Sequence, residues 1–511
     1  VTAPPPGDGA GAVERARALL AAGDAAGALD LVEREAAALE AEPAAGVGVA
    51  GVLLELGLPG PALGLLEEAR RRLPFHPAVE AAVGHALVDL GRADEAADLL
   101  RRCLARVPGH PGTRFALALA LADRGDHAAA EALYAALVEE DPGHLPARIN
   151  RAEQLCHLGR AAEAREAYDR AVAAAPDDPR LRLHRAALLL SQGDPEGWAD
   201  WERRLDPRAP GFVRRGHGLP RWDGSPVGRL LVDAEQGLGE QILFSGFLDR
   251  LRGRVGEAVV ECHPRLRSLF ARSFPWARVE PFRRADDGPT LRFRHDWLGS
   301  VGPVDAHVEC GSLPALLGHR FGAPAPAAPR LVADPALTAA LRRRYDPDGG
   351  RILVGISWRS GRSRNARHKS VPLAMWGRVL DARPDVRFVS LQYEPDAAEV
   401  AAAGGRVLVD PEVDPMGDAD PCAAQAAAMD LVVTVSCTAA HLAGALGVRT
   451  LVLTPSGPGL IWYWGAAGEA SPFYGSVVHL RQEADGGWEA ALGEAAAEVA
   501  RTALRGGRPA W

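Results

Sequence analysis

The sequence predicts an all-α helical solenoid over residues 11–200, followed by an α/β part in two halves. Three observations carry this. Gly23, Gly57, Gly91, Gly125, Gly159 and Gly193 stand 34 residues apart, and a fixed period of that length marks a stacked helical repeat. From Leu230 onward, short apolar runs alternate with helical stretches, the pattern of βαβ units and a parallel sheet. Midway through that region, the apolar run Ile352–Ile356 ends in a loop that carries Arg359, Arg362, Arg364, Arg367, His368 and Lys369.

In each repeat a first helix ends at the glycine, a second follows, and a Pro-containing turn leads to the next unit. Ala28, Ala62, Ala96, Ala130 and Ala164 recur five residues after their glycines, and Pro74, Pro108, Pro142 and Pro176 close the units. The small alanine lets paired helices approach closely, while Leu66, Leu100, Tyr134 and Tyr168 fill the space between units. The first unit is degenerate, as a capping repeat is. The array reads as a groove for a protein or as a plain spacer. A junction over residues 201–228 is rich in Trp, Pro and Arg; Trp198, Trp201 and Trp222 read as packing anchors between the array and the next domain.

The first half, residues 229–345, opens with the strand LLVDA (230–234), the glycine turn Gly237-Leu238-Gly239 and a helix over 242–251. Strands at 258–262 and 277–280, a helix at 264–270 and the segment GSLPALLG (311–318) follow. The glycine turn lets a ligand approach the backbone and a helix N-terminus. It superficially fits a dinucleotide fingerprint, with Glu261 where a ribose-binding acid belongs, but Ile242 stands in place of the third glycine. The second half, residues 346–511, carries strands at 352–357, 386–392, 406–409, 431–435 and 450–453, a helix opened by Pro372, and a closing helix over 488–504. The halves meet near residues 335–350.

Ligands bind beyond the carboxyl ends of strands in such sheets. The basic loop after Ile356 therefore suits a phosphorylated ligand, although a solvated surface loop is the plainer alternative. Lys369 is the chain's only lysine; every other one of its 58 basic residues is arginine. In LVVTVSCTAAHLAGALG (431–447), a strand gives way to Ser436, Cys437 and Thr438, then to a small-residue helix capped by Gly447. The helix amides with the Ser436 and Thr438 hydroxyls make a phosphate cradle. His441 either reaches the ligand or caps the sheet edge. Cys437 lacks a paired base and reads as a packed small residue.

Composition narrows the function classes. Hydrophobic content of 47% and charge of 24% are those of a soluble globular chain. The net charge of −8 argues against a general nucleic-acid binder. The six cysteines are scattered without metal spacing, so free thiols in a cytoplasmic protein are expected. No metal motif is evident, and Asp286-Asp287 reads as turn chemistry. No signal peptide and no membrane span are expected, and the first ten residues are expected to be disordered.

The repeat spacing resembles the tetratricopeptide repeat. The whole order resembles bacterial tetratricopeptide-repeat glycosyltransferases related to the heptosyltransferase family: the array, the Trp-rich junction, EQGLGEQILF, GSLP, VGISWRSG, a lone Lys before a Trp, SLQYE and AAHLAGALG. The resemblance implies a GT-B fold of two Rossmann-like lobes, with an acceptor on the first and a sugar nucleotide on the second. It implies Glu240 as the base, where the family carries Asp, and Lys369 as the phosphate-binding cation. Ser357, Arg359, Gln392, Ser436, Thr438 and His441 line the donor side, Gly237 and Gly239 form the turn, and Asp233 and His263 are the next candidates for the base. Ser436-Cys437 replaces the family's Asp-Thr. The implied activity is metal-independent transfer of a sugar, without a cofactor, to a protein acceptor held by the array. Flagellin is the leading acceptor class. The alternative is a non-catalytic adaptor with a degenerate nucleotide-sugar site.

Overall fold

The computed structural model describes residues 9–22, 27, 30–31, 34, 43–55, 57–209, 212–235, 237–285, 291–319, 330–361, 364–457, 459–483 and 486–503. Most of the expected disordered terminus, Gly23, Ala28, Asp286-Asp287 and Arg362 lie outside them. The chain forms two compact units. One holds the residues through Arg185 with the short returns Arg208–Phe212 and Ala285–Leu291; the other holds Ala186–Pro207, Val213–Arg284 and Arg292–Trp511.

The first unit is a run of helix pairs, including Pro77–Asp89 with Ala93–Arg106, Pro111–Asp123 with His127–Glu140, and Leu145–His157 with Ala161–Ala174. The glycine register has a backbone cause. Gly57, Gly91, Gly125, Gly159 and Gly193 all have φ between +70 and +85. At Gly125 the next amide, Asp126 N, returns to Leu121 O at 2.9 Å, which closes the first helix of the pair. Ala62, Ala96, Ala130 and Ala164 are fully buried, and Leu66, Leu100, Tyr134 and Tyr168 are at most 2% exposed, as their roles require. Gly125→Ala adds a methyl group into open space, so the substitution isolates the backbone cost. It is expected to lower stability by about 1–2 kcal/mol, read as a fall in the urea midpoint at constant slope. Gly125→Asn should lose less, because Asn visits this region more readily.

The second unit is built on parallel sheets. Its strands begin with β1 (Val213–Arg215), β2 (Val227–Asp233), β3 (Val255–Cys262), β4 (Arg278–Pro281), β5 (Arg283–Ala285), β6 (Leu291–Arg294) and β7 (Ala306–Glu309). They continue with β8 (Ile352–Ser357), β9 (Val386–Ser390), β10 (Val407–Leu408), β11 (Leu431–Val435), β12 (Thr450–Thr454) and β13 (Val477–Arg481). One sheet has the order β4-β3-β2-β7, a second β10-β9-β8-β11-β12-β13, and a small third β1-β6-β5. Every registered pair in the first two is parallel. Residues of β8, β11 and β12 are buried throughout, which is why these strands read as unbroken apolar runs. Both sheets reverse direction after their third strand outward. The reversal leaves a crevice between β2 and β7 in one and between β8 and β11 in the other, the places where such sheets hold ligands.

Several expected elements shift. The helix expected over 242–251 begins at Leu238 and ends at Ser245, with a separate 3-10 turn at Leu248–Leu251. Gly237 is its N-cap and Glu240 its third residue, so the glycine turn itself starts the helix. The helix expected from Pro372 is a 3-10 turn, Leu373–Trp376, then one α turn, Gly377–Leu380; the buried Trp376 donates its indole N–H to Val371 O at 3.0 Å. A helix, Pro335–Tyr345, occupies the stretch where the halves were expected to meet, capped by Asp334. The segment 186–207 belongs to the α/β unit, ahead of the expected boundary at 200/201. There Trp198 and Trp201 meet Trp462 edge-on at 5.6 and 5.1 Å between ring centroids. Among the described residues, no helix is long and apolar enough to cross a membrane.

Candidate functional site

The crevice between β8 and β11 opens into a cavity of ≈ 720 Å³, lined also by residues that follow β2. At the end of β8, Gln392 works as a bracket. Its Oε1 accepts from Ser357 Oγ at 3.0 Å, Trp358 N at 3.1 Å and Arg359 N at 2.8 Å. Its Nε2 donates to Tyr393 O. Gln392 and Ser357 line the cavity, but their side chains are spent on shaping the loop. Arg359 does not line it. Its guanidinium donates to Glu394 O at 2.9 Å and lies 4.0 Å from Glu399. The structure therefore places Arg359 beside the cavity residues along the chain but not in the cavity lining.

Lys369 does reach the cavity. It is half-buried, and among the described residues no carboxylate pairs with it. Burial holds its ammonium below the usual lysine range, with the neighbouring Cys437 opposing. At the end of β11, Ser436, Cys437 and Thr438 also line the cavity. Ser436 Oγ accepts from Trp464 Nε1 at 2.7 Å. Cys437, half-buried at the cavity, sits between Thr434 Oγ1 and Ser357 Oγ at 3.4 and 3.5 Å. It is the N-cap of the helix Thr438–Ala445, which has no side-chain cap. The first amides of that helix therefore lack a side-chain partner at the cavity wall.

His441 is buried. Its Nδ1 is 3.0 Å from Tyr474 Oη, and its ring stacks on Trp464 at 4.6 Å. Burial, aided by the charge of Lys369, pushes it down to about 3, so the imidazole is neutral near pH 7. A Cβ added at Gly239 would lie 2.8 Å from His441 Cδ2. The absence of a side chain there is what lets the two helices that flank the cavity approach.

Gly237, Gly239 and Glu240 also line the cavity. Glu240 Oε2 accepts from Gly237 N at 3.3 Å, closing the first turn of its own helix. Burial, and then the charge of Glu235, raise its carboxyl above the usual range, which suits a proton-transfer group. Asp233 and His263 are not in the wall. His263 Nδ1 accepts from Arg265 N at 3.2 Å.

The sequence reading missed a second polar constellation, at the crevice between β2 and β7. Asp233 ends β2 and is fully buried. Its Oδ2 accepts from His307 Nδ1 at 2.6 Å and from His217 Nε2 at 3.4 Å. Burial would raise its carboxyl, but Arg215 and the two histidines outweigh it and hold the group well below the usual range. Glu261, Glu309 and His295 complete the cluster. No spacing rule announces it, because its members come from five segments between residues 215 and 309.

Residues 82–144 and 121–188 each match a tetratricopeptide repeat model, so the first unit carries tetratricopeptide repeats, modules that bind protein partners. The chain is 32% identical over 333 residues to Protein FlbA of Caulobacter vibrioides. The match covers 61% of this chain and 52% of the relative, so the chain spans about half of the relative's length. Among solved structures it resembles a thermophilic TPR protein of Thermus thermophilus, with 26% identity and a TM-score of 0.33, covering 36% of this chain and 100% of that one. MamA from Desulfovibrio magneticus is 20% identical with a TM-score of 0.27, covering 32% and 90%.

Proposed function

We propose that the chain transfers a sugar from a sugar nucleotide to a hydroxyl of a protein held by the repeat array, on a GT-B scaffold. One observation carries the reading: the half-buried Lys369, without a carboxylate partner among the described residues, shares a cavity with a helix N-terminus that has no side-chain cap. Both favour negative charge, and together they suit the diphosphate or phosphate that leaves as the sugar is transferred. Glu240, which lines the same cavity, takes the acceptor's hydroxyl proton. The acceptor oxygen then bonds to the anomeric carbon as the bond to the leaving phosphate breaks. Flagellin is the acceptor class that the family resemblance suggests, and the reaction is drawn without a metal.

A panel of sugar nucleotides, read by thermal shift and then by turnover, tests the reading. The matching donor raises the melting temperature and is consumed in the presence of acceptor. A panel in which no sugar nucleotide binds would overturn it. Glu240 closing its own helix turn favours a second reading, an adaptor that binds the nucleotide and transfers nothing. Binding without turnover selects it.

The array's share is separable. A chain beginning at Ala186, where the α/β unit begins, is expected to bind sugar nucleotide like the full chain but to lose modification of the protein acceptor, because tethering only raises the local concentration of the target hydroxyl. Equal modification rates with and without residues 1–185 would make the array a spacer.

A further inference from the structure

We propose that His217, Asp233 and His295 bind one divalent transition-metal ion of the zinc class, independently of the transfer site. The three residues present donor atoms that all lie within 4.8 Å of one another. Asp233 faces one histidine with each carboxylate oxygen: His217 Nε2 is 3.4 Å from Oδ2, and His295 Nε2 is 3.8 Å from Oδ1. Zinc bound at about 2.0–2.2 Å in a tetrahedral shell spaces its ligands roughly 3.4 Å apart, so small movements close the shell. Two imidazoles and a carboxylate suit zinc better than calcium or magnesium, which take oxygen ligands.

A second observation points to a missing partner. Among the described residues, Asp233 Oδ1, in a fully buried residue, has no hydrogen bond and, besides His295, only the ion-pair approach of Arg215 Nη1 at 3.5 Å. His295 Nε2 is held by an ion pair with Glu261 Oε1 at 2.8 Å and, among the described residues, makes no other polar contact closer than Asp233 Oδ1 at 3.8 Å. Unsatisfied buried polar atoms are rare and call for an occupant. Arg215 is the buried cation that approaches Asp233, Glu261 and Glu309, at 3.5, 3.3 and 3.9 Å. Three carboxylates thus converge on that guanidinium beside the histidines, and the half-exposed Arg221 lies 3.3 Å from Glu309. His307, donating to Asp233 Oδ2 at 2.6 Å, supplies the outer hydrogen bond that orients a ligating carboxylate. Coordination through His217 Nε2 requires the ring proton on Nδ1, which gives up the long 3.2 Å contact from Leu219 N. His217 follows β1, His295 follows β6 and Asp233 ends β2. The ion would therefore tie the small sheet to the parallel sheet, a structural role.

The test uses the tag-free full-length chain, stripped with a chelator and titrated with Zn2+ against a chromophoric chelator. One equivalent is expected to bind and to raise the melting temperature. His295→Gln and His217→Gln should each weaken binding by on the order of 10²-fold or more, and His307→Gln by about 10–100-fold. His184→Gln, in the array, should leave it unchanged. Co2+ should give visible ligand-field bands without a thiolate charge-transfer band, which separates this site from the chain's cysteines. No saturable Zn2+ binding, wild-type affinity in both His217→Gln and His295→Gln, or a thiolate band would each overturn the proposal. If one of these two variants does not fold, the other carries the comparison.

Discussion

Glu240→Gln is expected to lower sugar transfer by on the order of 10²-fold or more, the scale for loss of a general base, while donor binding stays intact. The substitution separates the two roles the carboxylate holds. Glu240 accepts from Gly237 N and so closes the first turn of the helix Leu238–Ser245. Glutamine at the third helical position performs that capping as well, so fold and melting temperature should hold while proton acceptance is lost. Glu240→Ala removes both functions and should also lose stability. The pH dependence follows from the environment. Burial and Glu235 raise the Glu240 carboxyl, and a base acts in its ionised form. Transfer should therefore rise with pH through an apparent pKa above the ordinary glutamate range, and the rise should vanish in Glu240→Gln. A Gln variant that transfers at the wild-type rate would leave Glu240 as a helix cap alone.

Lys369→Ala is expected to weaken sugar-nucleotide binding by about 1.5–3 kcal/mol, the range for hydrogen bonds to charged groups. No carboxylate among the described residues pairs with Lys369, so its removal strands no buried acid, and the melting temperature without ligand should barely change. Lys369→Arg is not a neutral control, because a planar fork replaces a point charge in a wall already close-packed against Gly459. Calorimetry with the nucleoside diphosphate alone isolates the phosphate contribution. Unchanged affinity in Lys369→Ala would remove Lys369 from the site and with it the observation that carries the proposed function.

The repeat array was readable because its signal is local. A left-handed backbone at Gly125 needs glycine whatever surrounds it, and a buried alanine recurs wherever two helices cross. The strands β8, β11 and β12 were readable because burial on both faces leaves them uniformly apolar. The residues at or beyond their ends, Ser357, Lys369, Ser436, Thr438 and His441, stand out as candidates because strand ends are where such sheets hold ligands. The short strands β1, β5 and β6 were not readable. They are three or four residues long and Arg-rich, too brief to show a period.

By itself, the sequence determined the helical repeats, the parallel character of the later strands and the loops that bear candidate chemistry, since each depends on neighbours a few residues apart. Direction and partnership were decided only by tertiary structure. Arg359 and Lys369 lie in the same basic loop, yet Arg359 turns to Glu394 while Lys369 faces the cavity. Gln392 is consumed by three donors at the end of β8. Asp233, His217, His295 and His307 meet although they stand far apart along the chain. Such placements depend on which strands lie side by side, and that is settled by long-range packing that no local pattern of residues encodes.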